Sequence, residues 1–490
     1  MTKLPLKQPR GLFLLFFTEL WERFGFYTLQ TIIILYMTKG LLLSDTNAYL
    51  LYGTFSSMLY LTPVLGGYLA DRYLGFQRAI IVGGVLLIVG YLLTAVPNNE
   101  IFFLGLSVII VANGLFKPNV FSIVGDLYRP GDARRDGGFT IFYMGINIGS
   151  LIPPLITGWI VATYGWHAGF LLAAIGMLIG LVTFLLGRKR LRTSGVMPAA
   201  SPLRDNKESL TFYVLFYGGI VLAVCLFLVL FKFPAETDIL LALASVVVVG
   251  AVIYFLLKEK KVQRNKMIAC LILILISIGF WSLYNQTFTS LMLYADRNMG
   301  KQILGITIDA EFTQFFNPFF IVLLSPVLSR LWIWLDNKRS NPSTPMKFSM
   351  GVLMMSIGFF VLGLGGRYFS AAGETSAWWL VASYFFQTIG ELLLSPIGLA
   401  MITTLSPKHL VGMMMGVWFL TQSAAFAIGG GLATFASVPD KAQPVESLKI
   451  YDHAFIIYGA ISLVLAIISI LLVPYLKRLI YGPSPMRPIK

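Results

Sequence analysis

Apolar residues in this chain come in blocks of about twenty or more, separated by short segments where glycine, proline and charge collect. A helix needs about 20 apolar residues to cross the hydrocarbon core of a bilayer. By that ruler fourteen spans are predicted, near 13–38, 47–70, 79–97, 101–125, 138–164, 167–187, 210–231, 237–257, 267–295, 308–335, 347–366, 376–405, 410–435 and 453–476. The runs are too long and continuous for the short alternating strands of a membrane barrel. Glu19, Glu22 and Arg23 interrupt the first run and no small-residue cleavage site follows it, so it is expected to stay as a helix and not to leave as a signal peptide. The fold class is therefore all-α and polytopic.

Composition agrees. Of 490 residues, 57% are hydrophobic and 12% charged, about half the ~25% charge of a soluble protein, so lipid must serve as solvent for much of the surface. The formal net charge of +15 does not point to nucleic acid, because the basic residues sit in short loops between apolar blocks. With the N-terminus inside, 28 of the 37 Lys and Arg fall in inside loops and seven in outside loops. This is the bias that sets membrane orientation, and both termini are expected to be cytoplasmic. Cys225 and Cys270 lie within apolar runs and offer neither a disulfide framework nor metal-ligand spacing. HExxH, GxSxG and P-loop patterns are absent, as is any repeated filter or charged ring. Neither an enzyme nor a channel is expected, and no metal or cofactor.

The order of spans reads as six, two and six. The strongly basic loops 188–209 and 258–266 flank an extra pair at 210–257 whose one charged residue within the predicted spans, Asp238, lies at the very start of the second. This gives an expected N-terminal six-helix bundle at 1–192, a two-helix insertion at 193–266 and a C-terminal six-helix bundle at 267–490. Two six-helix halves are the architecture of a major facilitator, with a substrate site near the midplane. The loop Gly66-Gly67-Tyr68-Leu69-Ala70-Asp71-Arg72-Tyr73-Leu74-Gly75 resembles that superfamily's signature after span two. Its glycines allow close helix approach, and Asp71 with Arg72 is expected to act in gating, latching a neighbouring helix end.

Charges inside the spans carry the chemistry. Each costs roughly 2.5–3.5 kcal/mol at the bilayer centre unless it has a partner or a wet cavity. Glu19, Glu22 and Arg23 share one helix face by their i, i+3, i+4 spacing. Lys117 precedes Pro118 in span four, and Glu391 lies in span ten, the position that pairs with span four by repeat. A purely structural network is a weak reason to keep such ions, since apolar replacements are often as stable. The sharper reading is a switch: Lys117 pairs either with a first-span glutamate or with a substrate carboxylate, and protonation of the glutamate frees it. That reciprocity is coupling. His167, His409 and His453 all lie at span ends or loops, so carboxylates must carry any buried proton. Glu391 and a free amide at Asn317, where Pro318 interrupts span eight, offer an acidic complement that suits a short zwitterion. Tyr27, Tyr60, Tyr143, Trp281 and Trp418 are candidate wall residues, with Tyr143 and Asn147 on one face.

At these residues a resemblance emerges. Glu19-Leu20-Trp21-Glu22-Arg23-Phe24 matches the ExxERF motif of the proton-coupled oligopeptide transporter family. Phe142-Tyr143-Met144-Gly145-Ile146-Asn147-Ile148-Gly149 and Gly390-Glu391-Leu392-Leu393-Leu394-Ser395-Pro396 look like its fifth- and tenth-span signatures, and Lys117-Pro118-Asn119 also fits. The resemblance covers essentially the whole chain, including the inserted helix pair of bacterial members. It implies proton-driven symport of di- and tripeptides across a bacterial inner membrane, with protons as the coupling ion and a monomer as the expected form. Glu19, Glu22, Arg23 and Lys117 would couple protons and handle the peptide carboxylate. Tyr27, Tyr60, Tyr143 and Asn147 would contact the peptide; Asn317 and Glu391, with Ser395 in the same motif, would hold its amino end; Trp281 and Trp418 would shape side-chain pockets. Two positions depart from the pattern: Gln30 stands where many members have a second arginine, and Asn285 where many have a glutamate. Asparagine cannot titrate, so coupling should rest on the first-span glutamates. The rival reading is a major facilitator for another small solute, such as an amino acid, an anion or a drug.

Overall fold

The computed structural model describes residues 7–129, 132, 134–191, 194–198, 201, 206–370, 372–407 and 410–482. The expected boundary at 192/193 lies outside these residues, as do Lys3, Arg192, Arg204, Lys408, Arg487 and Lys490 of the basic segments and His409. Eleven described helical segments are long and apolar enough to cross a membrane. With the helices Arg10–Leu35, Asp45–Leu69 and Pro234–Lys258 they make up the fourteen expected positions.

The chain divides into two compact units, Met1–Leu43 with Thr54–Thr237, and Ser44–Gly53 with Asp238–Lys490. The first holds α1 (Arg10–Leu35), most of α2 (Asp45–Leu69), α3 (Phe76–Thr94), α4 (Asn99–Asp126), α5 (Arg135–Leu151), α6 (Pro153–Tyr164), α7 (Trp166–Gly187) and α8 (Asn206–Lys232). Span five is two helices and not one: Pro153 and Pro154 occupy the first turn of α6, where a missing N–H costs nothing, but they cannot continue the ladder of α5. Gly75 takes φ +79°, turning the chain from a π-helical turn (Ala70–Leu74) into α3. The α4–α5 loop is pinned by Arg134, whose guanidinium bonds Asp132 at 2.7 and 3.0 Å and the Lys7 carbonyl at 3.0 Å. Those bonds hold the Asp132 carboxyl down at about 2.

The second unit holds the start of α2, nearly all of α9 (Pro234–Lys258), then α10 (Lys261–Tyr284), α11 (Ser290–Asn298), a two-residue hairpin pairing Gln302 with Thr307, α12 (Phe316–Asn337), α13 (Thr344–Phe369), α14 (Ala377–Leu405), α15 (Val411–Ala433) and α16 (Pro444–Tyr481). Span seven is also broken. A 3₁₀ turn at Asn285–Phe288 separates α10 from α11, and Gln286 spans the break by donating to the Gly429 carbonyl at 2.9 Å and accepting from the Ser290 hydroxyl at 2.7 Å. At one end of this unit Asp45 takes a bidentate ion pair from Arg297 at 2.6 and 2.8 Å and a bond from the Val438 N–H at 3.0 Å. Arg297 also donates to the Tyr451 hydroxyl at 3.0 Å. Two forked bonds of this kind fix geometry as well as charge.

Candidate functional site

The first unit carries a buried ionic cluster on α1. Glu19, Glu22 and Arg23 are 0%, 1% and 4% exposed, so each ion must find its partner inside the protein. Arg23 commits two nitrogens to Glu22, Nε to Oε2 and Nη2 to Oε1. Glu19 is left with a weaker contact, 3.6 Å from Arg23 Nε, and both of its oxygens are buried with no hydrogen-bond partner. Lys117 on α4 acts electrostatically on both glutamates and on Arg23. Its ammonium sits 4.9 Å from the centre of the Tyr60 ring, a cation–π arrangement worth about 0.5–2 kcal/mol. The cluster thus pairs one carboxylate fully and keeps a second in reach of two cations without a bond to either.

Small residues hold these groups at that spacing. A methyl on Gly149 would overlap the Leu20 carbonyl and crowd Arg23 Cβ, and one on Gly145 would strike Phe16. The fifth-span glycines therefore let α5 lie directly on the α1 face that carries the ions. On α2 and α4, Gly66 and Gly114 meet backbone to backbone, with Asn113 Nδ2 donating to the Leu59 carbonyl and Thr62 Oγ1 to the Ile110 carbonyl, both at 2.9 Å. This stitching sets Lys117 beside Tyr60. Tyr27 is half-buried and Gln30 buried on the same helix as the glutamates. Asn147 is buried and donates to the Tyr143 carbonyl at 2.9 Å, while the Tyr143 ring is half exposed. Asp71 and Arg72 are exposed, and Arg72 donates to Tyr68 of its own turn. Tyr91 on α3, electrostatically coupled to Glu22 and buried with its hydroxyl unpartnered, belongs to this cluster. No motif marks it in the sequence.

The second unit carries an acidic cluster. Glu391 on α14 accepts from Asn317 Nδ2 at 2.7 Å, and Asn317 also donates to the Thr388 hydroxyl at 3.2 Å. The expected free amide is therefore not free. Pro318 does not interrupt a helix either, because it lies in the first turn of α12, where a 3₁₀ turn hands over to the helix. Tyr284 at the end of α10 hydrogen-bonds the same carboxylate. Sequence reasoning passed over both Tyr284 and Thr388. Tyr284 lies three residues after Trp281, and Thr388 three before Glu391, so helical spacing from residues already singled out finds them. Ser395 is one turn beyond Glu391 and half-buried. Trp281 is buried with its indole N–H unpartnered. The Trp418 ring packs where a side chain on Gly398 would lie. Asn285 is fully buried, and a methyl on Gly429 would strike it. The amide thus fills a tight helix contact.

Among the described residues no group of His, Cys, Asp and Glu is placed to hold a metal. Chemically, the two clusters can exchange a proton, bind a carboxylate at a cation, and bind an ammonium at a carboxylate.

Comparison with known proteins bears on this arrangement. The family model of the POT family matches residues 77–450. Dipeptide and tripeptide permease B of Shigella dysenteriae serotype 1 is 38% identical over 485 residues, covering 98% of each chain. A crystal structure of a peptide transporter POT in complex with sulfate superposes with a TM-score of 0.82 at 35% identity, covering 97% of this chain and 96% of that one. A crystal structure of tetrameric PepTSo2 gives a TM-score of 0.84 at 33% identity, covering 96% of this chain and 99% of that one. The signatures on α1, α5 and α14 thus lie within a likeness that runs nearly end to end in sequence and in fold, and the chain belongs to the POT family of all-α, multi-pass membrane proteins.

Proposed function

We propose that the protein is a proton-coupled symporter of di- and tripeptides with the major facilitator architecture, working by alternating access. One observation carries the coupling mechanism: Glu19 is a wholly buried carboxylate with no hydrogen bond, beside an arginine already committed to Glu22. An ion in that setting gains by accepting a proton or by recruiting Lys117. When Glu19 takes the proton, Lys117 is released to receive a peptide carboxylate. When the peptide leaves, Lys117 returns and the proton is expelled. Glu22 remains the fixed partner of Arg23. Glu391, oriented by Asn317 and Tyr284, receives the peptide ammonium, exchanging its bond to the Asn317 amide for one to the ligand. Tyr27, Tyr60, Tyr143, Asn147 and Ser395 contact the peptide, Trp281 and Trp418 bound its side chains, and Asp71 with Arg72 serves the cytoplasmic gate.

The name of the Shigella relative, a dipeptide and tripeptide permease, supports this substrate class over a free amino acid, anion or drug. The charge bias of the loops supports cytoplasmic termini in a bacterial inner membrane. The segments 1–192, 193–266 and 267–490 are assigned as bundle, insertion and bundle, and the monomer is taken as the transporting unit. Uptake of a peptide panel into proteoliposomes under an imposed pH gradient tests the proposal. Short peptides should accumulate and compete with one another, whereas accumulation of free amino acids in their place would refute it.

A further inference from the structure

A second polar site lies in the second unit, apart from the acidic cluster. Where the last turn of α13 meets the start of α16 there is a cavity of about 590 Å³, lined among others by Gly366, Arg367, Lys449, Asp452 and His453. Asp452 is only 7% exposed, and its Oδ1 is buried with no hydrogen-bond partner. The absence of a side chain at 366 is what admits it, because a methyl there would overlap the carboxylate. Arg367, Lys449 and His453 are exposed on the rim, and Arg367 acts electrostatically on Asp452. The site therefore has an anion at its floor and cations at its mouth.

We propose that this cavity binds the headgroup of an aminophospholipid, the ammonium on Asp452 and the phosphate on Arg367 and Lys449. The inference rests on the membrane reading of the chain but not on what it transports. Depth fits: Gly366 and Arg367 are in the final turn of a helix long enough to span the bilayer, which places them at headgroup level. Deeper along the two helices, α16 exposes Val464 and Ile467 and α13 exposes Leu364, apolar side chains suited to acyl chains. Charge order fits as well. A primary ammonium can donate to a recessed carboxylate; a trimethylammonium has no N–H to give it, and a glycerol headgroup has no cation. Free phosphate alone would leave Asp452 unsatisfied.

The test is native mass spectrometry of the full chain released from detergent with equimolar phosphatidylethanolamine, phosphatidylcholine and phosphatidylglycerol of matched acyl chains. The expected result is about a tenfold preference for phosphatidylethanolamine, the scale of one charge-assisted hydrogen bond. Asp452→Asn should bring ethanolamine retention down to the choline level, and Arg367→Gln should lower both, since the phosphate is common to them. Equal retention of the three lipids by the unmodified protein overturns the proposal without reference to any variant. So does an undiminished ethanolamine preference in Asp452→Asn. Soluble glycerophosphoethanolamine that binds as tightly as the lipid would assign the site to a free phosphoamine and overturn the lipid assignment. Because no transport is measured, failure here leaves the symport reading to its own test.

Discussion

Replacing Glu19 by glutamine removes the proton site while keeping its shape. The attraction it deletes is large: charges 3.6 Å apart, the Glu19–Arg23 separation, interact by about 4–5 kcal/mol at an effective dielectric of about 20. Opposing it are the dehydration of a carboxylate without a hydrogen bond and repulsion from Glu22, so the net change in stability is expected to stay within about 1 kcal/mol. The bidentate Arg23–Glu22 pair survives, and with it the α1 geometry. Coupling does not survive. If one proton moves with each peptide, a gradient of one pH unit contributes about 1.4 kcal/mol, a tenfold accumulation at zero membrane potential. The assay is peptide uptake into proteoliposomes with the potential clamped, run beside peptide–peptide exchange at equal pH. Glu19→Gln should accumulate no peptide above the external concentration while exchange continues. Tenfold accumulation in the variant would refute the assignment of the proton to Glu19, and loss of exchange together with accumulation would place Glu19 in substrate binding instead.

Three other outcomes follow from the same geometry. Lys117→Ala, which leaves the cluster with an uncompensated negative charge, should abolish pH-driven accumulation and leave residual exchange; accumulation at the unmodified level would count against the switch. Glu391→Gln should weaken peptides with a free amino terminus by about 10- to 100-fold, the loss of one charged hydrogen bond worth about 1.5–3 kcal/mol. N-acetylated peptides should change little in competition assays, and an equal loss for both classes would reject the ammonium-binding role. Gly149→Ala should cost about 1–3 kcal/mol through overpacking of α5 on α1, lowering the thermal midpoint and the uptake rate. Gly218→Ala on α8, where an added methyl meets nothing within 4 Å and alanine is the better helix former, should lower neither, and equal losses in the two would show that helix contact at Gly149 is not the cause.

Hydrophobic run length was enough to specify the helical class and the fourteen positions, because the bilayer imposes one length scale on every span. The buried ions were legible for a related reason: a charge inside an apolar run is costly enough that its presence alone signals a partner. Run length could not show that spans five and seven are each broken, since the breaks at Pro153 and around Thr289 change hydrogen bonding without changing polarity. Nor could spacing tell which carboxylate keeps the arginine. Glu19 and Glu22 are both within one helical turn of Arg23, and only the folded structure shows Arg23 bonded to Glu22 and Glu19 left unbonded. The amide of Asn317 looked available in the sequence but is held by Glu391 and Thr388 from another helix. Asp452 likewise became a candidate only once Gly366, 86 positions away, was seen to make room for its carboxylate. One-dimensional pattern records which residues must leave water or lipid; which partner each then meets depends on contacts between distant helices, and those exist only in the folded chain.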